Sequence, residues 1–283
     1  MENIAIVGNG KIGKQHALAF ESCGAKVTKV FTSKDTLDFT DIDRIVVAVP
    51  EEHLLTVMRN IPEHIPTLYE KPLFDTWIQW CEFDMIASSL RKENTYIAFN
   101  RRHYNTVNRM KELITDTYYL EASFSDNYSL PNPAYRITSH WVDMIGYLIG
   151  YDKLSEFKVI SSSKYHLSLY QDNISVSFTP NSIRNHSVRL QTQRGEWEMN
   201  PLEQLSSLSM KTKETSTSTL SYSVENSVEN SDTDNIKQGF RKQAQWFLAN
   251  PPPEKNLGAI FLLVEKIYRH FLLYTGRLDT FVG

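Results

Sequence analysis

Ile4-Ala5-Ile6-Val7-Gly8-Asn9-Gly10-Lys11-Ile12-Gly13 is the stretch on which the reading of this chain turns. Four apolar residues in a row suit a parallel strand buried on both faces, and Gly8 ends it. The glycines fit a G-x-G-x-x-G pattern set between that strand and a helical run over residues 11–23. Gly8 permits a tight turn, Gly10 lets the backbone approach a pyrophosphate, and Gly13 allows the helix to pack closely. The helix start adds N–H groups without intrahelical acceptors and the positive end of the helix dipole. Gly8, Asn9, Gly10, Lys11, Ile12 and Gly13 are therefore candidate contacts for NADP(H) or NAD(H).

Outward from this loop, strand-like runs at 25–31, 44–49, 67–69 and 96–99 alternate with helical ones at 52–60 and 76–92. Such alternation predicts an α/β fold, a doubly wound Rossmann domain over residues 1–100. Only about a dozen residues separate the second strand from the third, too few for a helix and a further strand. The sheet is thus expected to be trimmed at one edge, with an atypical adenine pocket. After the second strand, Ser33 and Lys34 suit a 2′-phosphate and Asp35 suits a free ribose diol. The balance favours NADP(H), with NAD(H) left open.

The texture changes after Asn100. A helix at 105–114 and another at 139–149 sit among β-like runs at 118–124, 157–161, 166–170, 174–178, 187–193 and 196–199. Residues 101–283 are expected to form a second, α+β domain with a large, mostly antiparallel open sheet. Residues 205–234, rich in Ser and Thr with Ser-Val-Glu-Asn repeated at 223–226 and 227–230, read as an exposed loop or ribbon. Helices at 234–249 and 257–274 close the chain. An open sheet face with apolar alternation would be covered, so a homo-oligomer is expected there.

The 283 residues suit two domains, and 41% hydrophobic with 22% charged residues marks a globular chain. A net charge of -3 without basic runs argues against a nucleic-acid surface, and no apolar stretch is long enough to span a membrane. Cys23 and Cys81 form neither a metal spacing nor a disulfide framework and read as buried small hydrophobes. The chain starts directly on a strand, so no signal peptide and a cytoplasmic location are expected.

Several motifs in order resemble the Gfo/Idh/MocA-type oxidoreductases. The glycine loop continues as Lys14-Gln15-His16, Val47-Ala48-Val49-Pro50 is followed by His53, and Glu70-Lys71-Pro72-Leu73 resembles the family's most specific signature. Phe99-Asn100-Arg101-Arg102 resembles its domain crossing and Ser139-His140-Trp141-Val142-Asp143 its catalytic-histidine helix. Tyr274-Thr275-Gly276-Arg277 is similar to its C-terminal end. The resemblance implies that Lys71 contacts the reacting hydroxyl and the nicotinamide, stabilising alkoxide charge. It implies His140 as the acid–base group. Val49, Pro50, His53, Glu70 and Lys71 would line the cofactor, with His16 and His53 fixing loop geometry. Arg102, Tyr135, Arg136 and Asp143 are candidate substrate contacts, and Asp143 could also orient His140. The Lys71–Pro72 bond is a candidate cis peptide. No metal is implied.

One departure stands out. Four residues before the catalytic histidine the family usually has a carboxylate; here Arg136 occupies the position, with Asp126 a more distant candidate. Arg136 would suit an anionic substrate group. The implied activity is hydride transfer between a nicotinamide and a secondary alcohol or ketone of a sugar, sugar acid or sugar nucleotide. Two alternatives stay open: a biliverdin-reductase-like reductase of an unsaturated bond, and a non-catalytic dinucleotide-binding sensor or assembly protein.

Overall fold

In the computed structural model, strand β1 (Asn3–Val7) is apolar and buried from Ile4 onward, and it lies inside a parallel sheet with a strand on either side. Helix α1 (Lys11–Ser22) follows, then β2 (Lys26–Phe31), β3 (Arg44–Val47), α2 (Glu51–Arg59), β4 (Thr67–Tyr69), α3 (Trp77–Ser89) and β5 (Thr95–Ile97). The strand order is β2-β1-β3-β4-β5, all parallel. The structure describes residues 1–73, 77–89, 93–114, 118–126, 139–163, 166–180, 185–211, 221–229, 235–252 and 255–275. Arg136 and Tyr135, the side chain of Asp126, and the Gly276-Arg277 end lie outside them.

No helix or strand links β2 to β3, as the short spacing predicts. Residues 32–43 instead form a loop strapped to β2 by Lys29, whose Nζ donates to Asp38 Oδ2 at 2.7 Å, Asp38 O at 3.0 Å and Thr40 O at 3.1 Å. Phe39 packs edge-on to Phe31 at 5.4 Å. With no crossover helix above it, one face of β2 stays open, and Val30 is 44% exposed.

Further along the chain come α4 (Asn105–Leu113), β6 (Tyr118–Asp126), α5 (Ser139–Ile149) and β7 (Lys158–Ser163). They are followed by β8 (His166–Gln171), β9 (Ile174–Pro180), β10 (Asn185–Thr192), β11 (Gly195–Met199), β12 (Gln204–Lys211) and β13 (Ser221–Glu229). Helices α6 (Phe240–Leu248) and α7 (Leu257–Thr275) end the described chain. The second sheet has eight strands in the order β13-β12-β11-β10-β6-β9-β8-β7. Its pairings are antiparallel except between β6 and β9. Of the two readings of the Ser/Thr-rich stretch, loop or ribbon, its described residues form paired strands: β12 and β13 pair with Val228 opposite Leu205 and Val224 opposite Leu208.

The chain divides into two units, Met1–His103 with Asp232–Gly258, and Tyr104–Ser231 with Ala259–Gly283. The expected split at residue 100 misses the return of 232–258 to the first unit. The reason is apolar: Ile236, Phe240, Ala244 and Phe247 are buried with Ile4, Ile6, Phe20, Val46, Leu68, Tyr96 and Ala98 in one core. Arg44 fastens the end of α6, pairing with Glu2 and donating to Asn250 Oδ1 at 2.5 Å and Leu248 O at 3.4 Å. The helix expected from 234 starts only at Phe240, after positive φ at Asn235 (60°) and Gly239 (78°).

In the second unit, Leu120, Ala122 and Phe124 of β6, with Leu167, Leu169, Val176, Phe178, Val188 and Leu190, form the buried face. Trp141 of α5 stacks on Phe124 at 4.6 Å, and Val142, Ile145, Leu263 and Phe157 close over a small apolar cavity. The alternate residues Glu121, Ser168, Ser175, Ser177, Arg189 and Gln191 make the opposite face polar, with Tyr119 and Tyr170 partly exposed. Neither cysteine is buried as expected: Cys81 is exposed and Cys23 half-exposed, the latter facing Arg241 O at 3.6 Å. No helix among the described residues is long and apolar enough to cross a membrane. Nor do three or more His, Cys, Asp and Glu residues converge among them in a way that could hold a metal ion.

Candidate active site

The direction of chain progression across the first sheet reverses between β1 and β3, and the crevice outside the carboxyl ends of such strands is where α/β sheets bind ligands. The glycine loop occupies that position. Gly8 turns with φ 110° and donates its N–H to Phe31 O at 2.9 Å. A Cβ on Gly8 would lie 2.3 Å from Ala48 O, and one on Gly13 would lie 1.9 Å from Gly8 O. Both glycines are thus demanded by the protein's own backbone. Gly10 is different, since a Cβ there would meet nothing within 4 Å. It caps α1 with extended backbone (φ -77°, ψ -175°) and no side-chain cap bond, and its carbonyl takes the first helical bond from Lys14 N at 3.1 Å. No acidic residue stands in the first turn. The N–H groups there lie beyond the reach of intrahelical acceptors, and the space beside Gly10 is open, an arrangement suited to a diphosphate.

Beside this loop, the turn after β2 exposes Ser33 and Lys34. Asp35 closes the turn, its Oδ2 accepting from Thr32 N and Thr32 Oγ1, both at 2.7 Å. These bonds hold its carboxyl below the usual range, so it stays ionised and engaged. Val49 is half-buried, whereas Pro50 and His53 are exposed, His53 on the first turn of α2 with its N–H on Pro50 O at 3.0 Å.

The Glu70-Lys71-Pro72 turn follows β4. Glu70 is buried and bonded to His16 Nε2 at 2.9 Å, which ties the turn to α1. The Lys71–Pro72 bond is cis. Lys71 is half-buried, and its pKa is lowered. Burial is the main cause; Glu70 opposes it, while Lys237 and Arg101 reinforce it. An ammonium in such a place releases a proton, or shares one, more readily than a solvated lysine.

Phe99-Asn100-Arg101-Arg102 is pinned by the return segment. Asn100 Nδ2 donates to Gln238 O at 3.1 Å. The buried Gln243 amide, turned so that its oxygen faces the backbone, accepts from Phe99 N and Asn100 N at 3.3 Å each. The Arg102 guanidinium lies over the Phe99 ring at 4.9 Å, and burial holds the neighbouring His103 neutral, its pKa pushed down to about 3. Sequence reasoning missed Lys237 altogether. Burial lowers its pKa too, with Glu70 opposing and Arg101 and Lys11 reinforcing. No local pattern marks this lysine, because only the chain's return to the first unit brings it here.

In the second unit, His140 is buried in the first turn of α5. Asp143, expected among the substrate contacts, is fully buried and accepts the Tyr151 hydroxyl at 3.0 Å. This bond fastens α5 within its own unit. Gly146 makes this possible, since a Cβ there would be 2.5 Å from the Tyr151 ring. His186 on β10 lies against Trp141, the neighbour of His140, with ring centroids 4.1 Å apart.

No protein-family model matches the sequence, and no curated protein is similar to it. Solved structures are similar in shape. A dehydrogenase (MviM) from Clostridium difficile superposes with a TM-score of 0.72 at 16% identity, over 95% of this chain and 99% of that one. A Gfo/Idh/MocA family oxidoreductase from Vibrio cholerae gives 0.69 at 14% identity, over 98% and 100%. The fold is that of the Gfo/Idh/MocA oxidoreductases. UDP-N-acetylglucosamine 3-dehydrogenase from Acidithiobacillus ferrooxidans shares the Gfo/Idh/MocA fold with this chain at a TM-score of 0.69 and 12% identity, over 96% and 98%.

Proposed function

We propose that the chain is a nicotinamide-dependent oxidoreductase of the Gfo/Idh/MocA type, acting on a secondary alcohol or ketone of a sugar, sugar acid or sugar nucleotide. The observation that carries this reading is the contrast within the glycine loop. Gly8 and Gly13 answer to the protein's own backbone, whereas Gly10 opens on free space at a helix start. A loop serving only as a turn has no need of the third glycine. Similar folds in proteins named as dehydrogenases support the reading.

Gly8 to Gly13 would hold the diphosphate, and Val49, Pro50, His53 and Glu70 would border the rest of the dinucleotide. NADP(H) is favoured over NAD(H) because Ser33 and Lys34 stand exposed while Asp35 is engaged in its own turn. The bound coenzyme supplies the hydride chemistry. Lys71 holds a proton next to the reacting oxygen and stabilises alkoxide charge there, its pKa lowered towards the working range. His140 takes or returns the hydroxyl proton. Arg102, Tyr135 and Arg136 are substrate-binding candidates, and an anionic substrate group would suit the two arginines. A homo-oligomer and a cytoplasmic location also belong to this proposal.

The test is fluorescence titration with NADPH and NADH, then turnover with 4-deuterated NADPH over a panel of keto-sugars and sugar nucleotides. Deuterium should appear in the product. Lys71→Ala and His140→Ala should each lower turnover by about a hundredfold or more while coenzyme binding survives. Full turnover in both variants would remove the assigned chemistry. NADPH binding without deuterium transfer to any carbonyl compound would favour a sensor.

A further inference from the structure

His16 stands on the second turn of α1, three residues after Gly13 and on the same buried helix face, and it is 1% exposed. Gly13 presses that face against the glycine loop, since a Cβ there would lie 1.9 Å from Gly8 O. The depth at which the imidazole enters the core is therefore set by the loop's own packing. Phe240 backs the ring from the return segment, with centroids 4.6 Å apart and planes inclined by 41°. On its other side Nε2 meets Glu70 Oε1 at 2.9 Å.

Glu70 is held at both ends. Its N–H donates to Val47 O at 2.8 Å, extending the pairing of β3 with β4, and its buried carboxylate ends on His16. A buried carboxylate is costly unless a donor compensates it, so the side chain keeps this place while the imidazole N–H is present. With a carboxylate as acceptor, the proton sits on Nε2 in the neutral and the charged imidazole alike. Lys71 is the next residue, so a displacement of Glu70 passes to the lysine across a single planar peptide unit. Helix α1 thus starts at the glycine loop and, in its second turn, grips the turn that carries Lys71.

We propose that His16 is a positioning residue: by donating from Nε2 to Glu70 it locks the Glu70-Lys71 turn to α1, so that the helix receiving the diphosphate also sets where that turn meets the nicotinamide. The proposal rests on the dinucleotide reading given above. It gives His16 a task at the nicotinamide end, beyond the shape of the loop in whose motif it lies.

Calorimetric titration of the full chain with NADPH and with 2′-phospho-ADP-ribose, the same dinucleotide without the nicotinamide, tests it. His16→Asn and His16→Gln both exchange the ring for an amide, but only glutamine carries its N–H as many bonds from Cα as Nε2 stands. His16→Leu keeps apolar bulk against Phe240 and has no donor at all. His16→Asn and His16→Leu should each raise Kd for NADPH by about tenfold and leave Kd for 2′-phospho-ADP-ribose within about twofold of wild type. His16→Gln should recover most of the NADPH affinity. Equal losses for the two ligands would overturn the proposal, since His16 would then serve only the fold of α1. Unchanged NADPH affinity in the two variants without the donor, or a His16→Gln protein as weak as they are, would overturn it too while the dinucleotide reading stands. Wild-type protein that binds neither ligand would overturn the dinucleotide reading, and this proposal with it.

Discussion

Alanine at each of the three loop glycines should separate folding from binding. At Gly13 a Cβ would stand 1.9 Å from Gly8 O, where ordinary contact needs about 3.4 Å, so strand and helix must part by more than an ångström. At Gly8 the new Cβ meets Ala48 O at 2.3 Å, and φ 110° is a backbone region that alanine rarely enters. Overpacking and backbone strain of this kind cost about 2–4 kcal/mol each. Gly10 has neither problem, since its φ is -77° and no atom lies within 4 Å of the Cβ position. Gly10→Ala should leave stability within about 0.5 kcal/mol of wild type, the small loss of glycine as an N-cap offsetting the entropy gain. Its methyl group would nevertheless occupy the approach to the N–H groups, and Kd for NADPH should rise at least about tenfold. Urea unfolding reports the first quantity and fluorescence titration the second. If Gly10→Ala binds NADPH like the wild type, the loop is not the coenzyme cradle. If Gly13→Ala is as stable as the wild type, the described packing of the loop is wrong.

Three further outcomes are expected. Because Lys71 has a folded-state pKa below 10.5, the unfolded chain holds a proton that the folded chain has released, so stability rises with pH between those two values. Lys71→Met should remove that rise, be more stable than the wild type below the window, and lose turnover; unfolding curves across alkaline pH show it. Tyr151→Phe withdraws the hydroxyl from the buried Asp143 and should cost about 1–3 kcal/mol in thermal unfolding, and Gly146→Ala should cost at least as much by driving into the Tyr151 ring. Finally, residues 1–103 expressed alone should fail to unfold cooperatively. Burying Phe240 and Phe247 contributes about 1.5–3 kcal/mol each, a large part of the 5–15 kcal/mol typical of a domain. Joining residues 232–258 through a flexible linker should restore a cooperative transition by circular dichroism.

What could be read from the sequence followed the range of the forces involved. The parallel strands were legible because burial on both faces writes itself as runs such as Ile45-Val46-Val47, and the loop was legible because glycines mark backbone crowding locally. The missing crossover helix was legible from spacing alone. The pairing of β12 with β13 was less so: their Ser-rich sequences carry only isolated apolar residues, and the pairing is decided by the neighbouring strand rather than by their own composition. The contact of Asp143 with Tyr151, and the need for Gly146 beside that ring, could not be read from the sequence, because the chain has to turn back after α5 before they meet. Cys81 was misjudged because α3 is apolar on average, which hides which side of it faces solvent.

The return segment explains why the domain boundary was the least legible feature and why it matters. A chain that leaves the first unit after His103 and returns to it from Asp232 leaves no local mark at either point. Its consequences are tertiary: Arg44 locks the end of α6 to the N-terminal strand region, Gln243 and Gln238 hold Phe99 and Asn100, and Gln15 holds Asn235 and Lys237. The glycine loop, the Glu70-Lys71 turn and the Arg101-Arg102 crossing are each braced by this single piece of chain or by its His16 contact. Substitutions that loosen it, such as Phe247→Ala, should therefore disturb coenzyme affinity as well as stability. Substitutions of equal cost in the second unit, such as Leu120→Ala, should lower stability while leaving the affinity of the folded protein unchanged. Equal losses of affinity in both would mean that α6 is only core, and that the loop holds its shape without it.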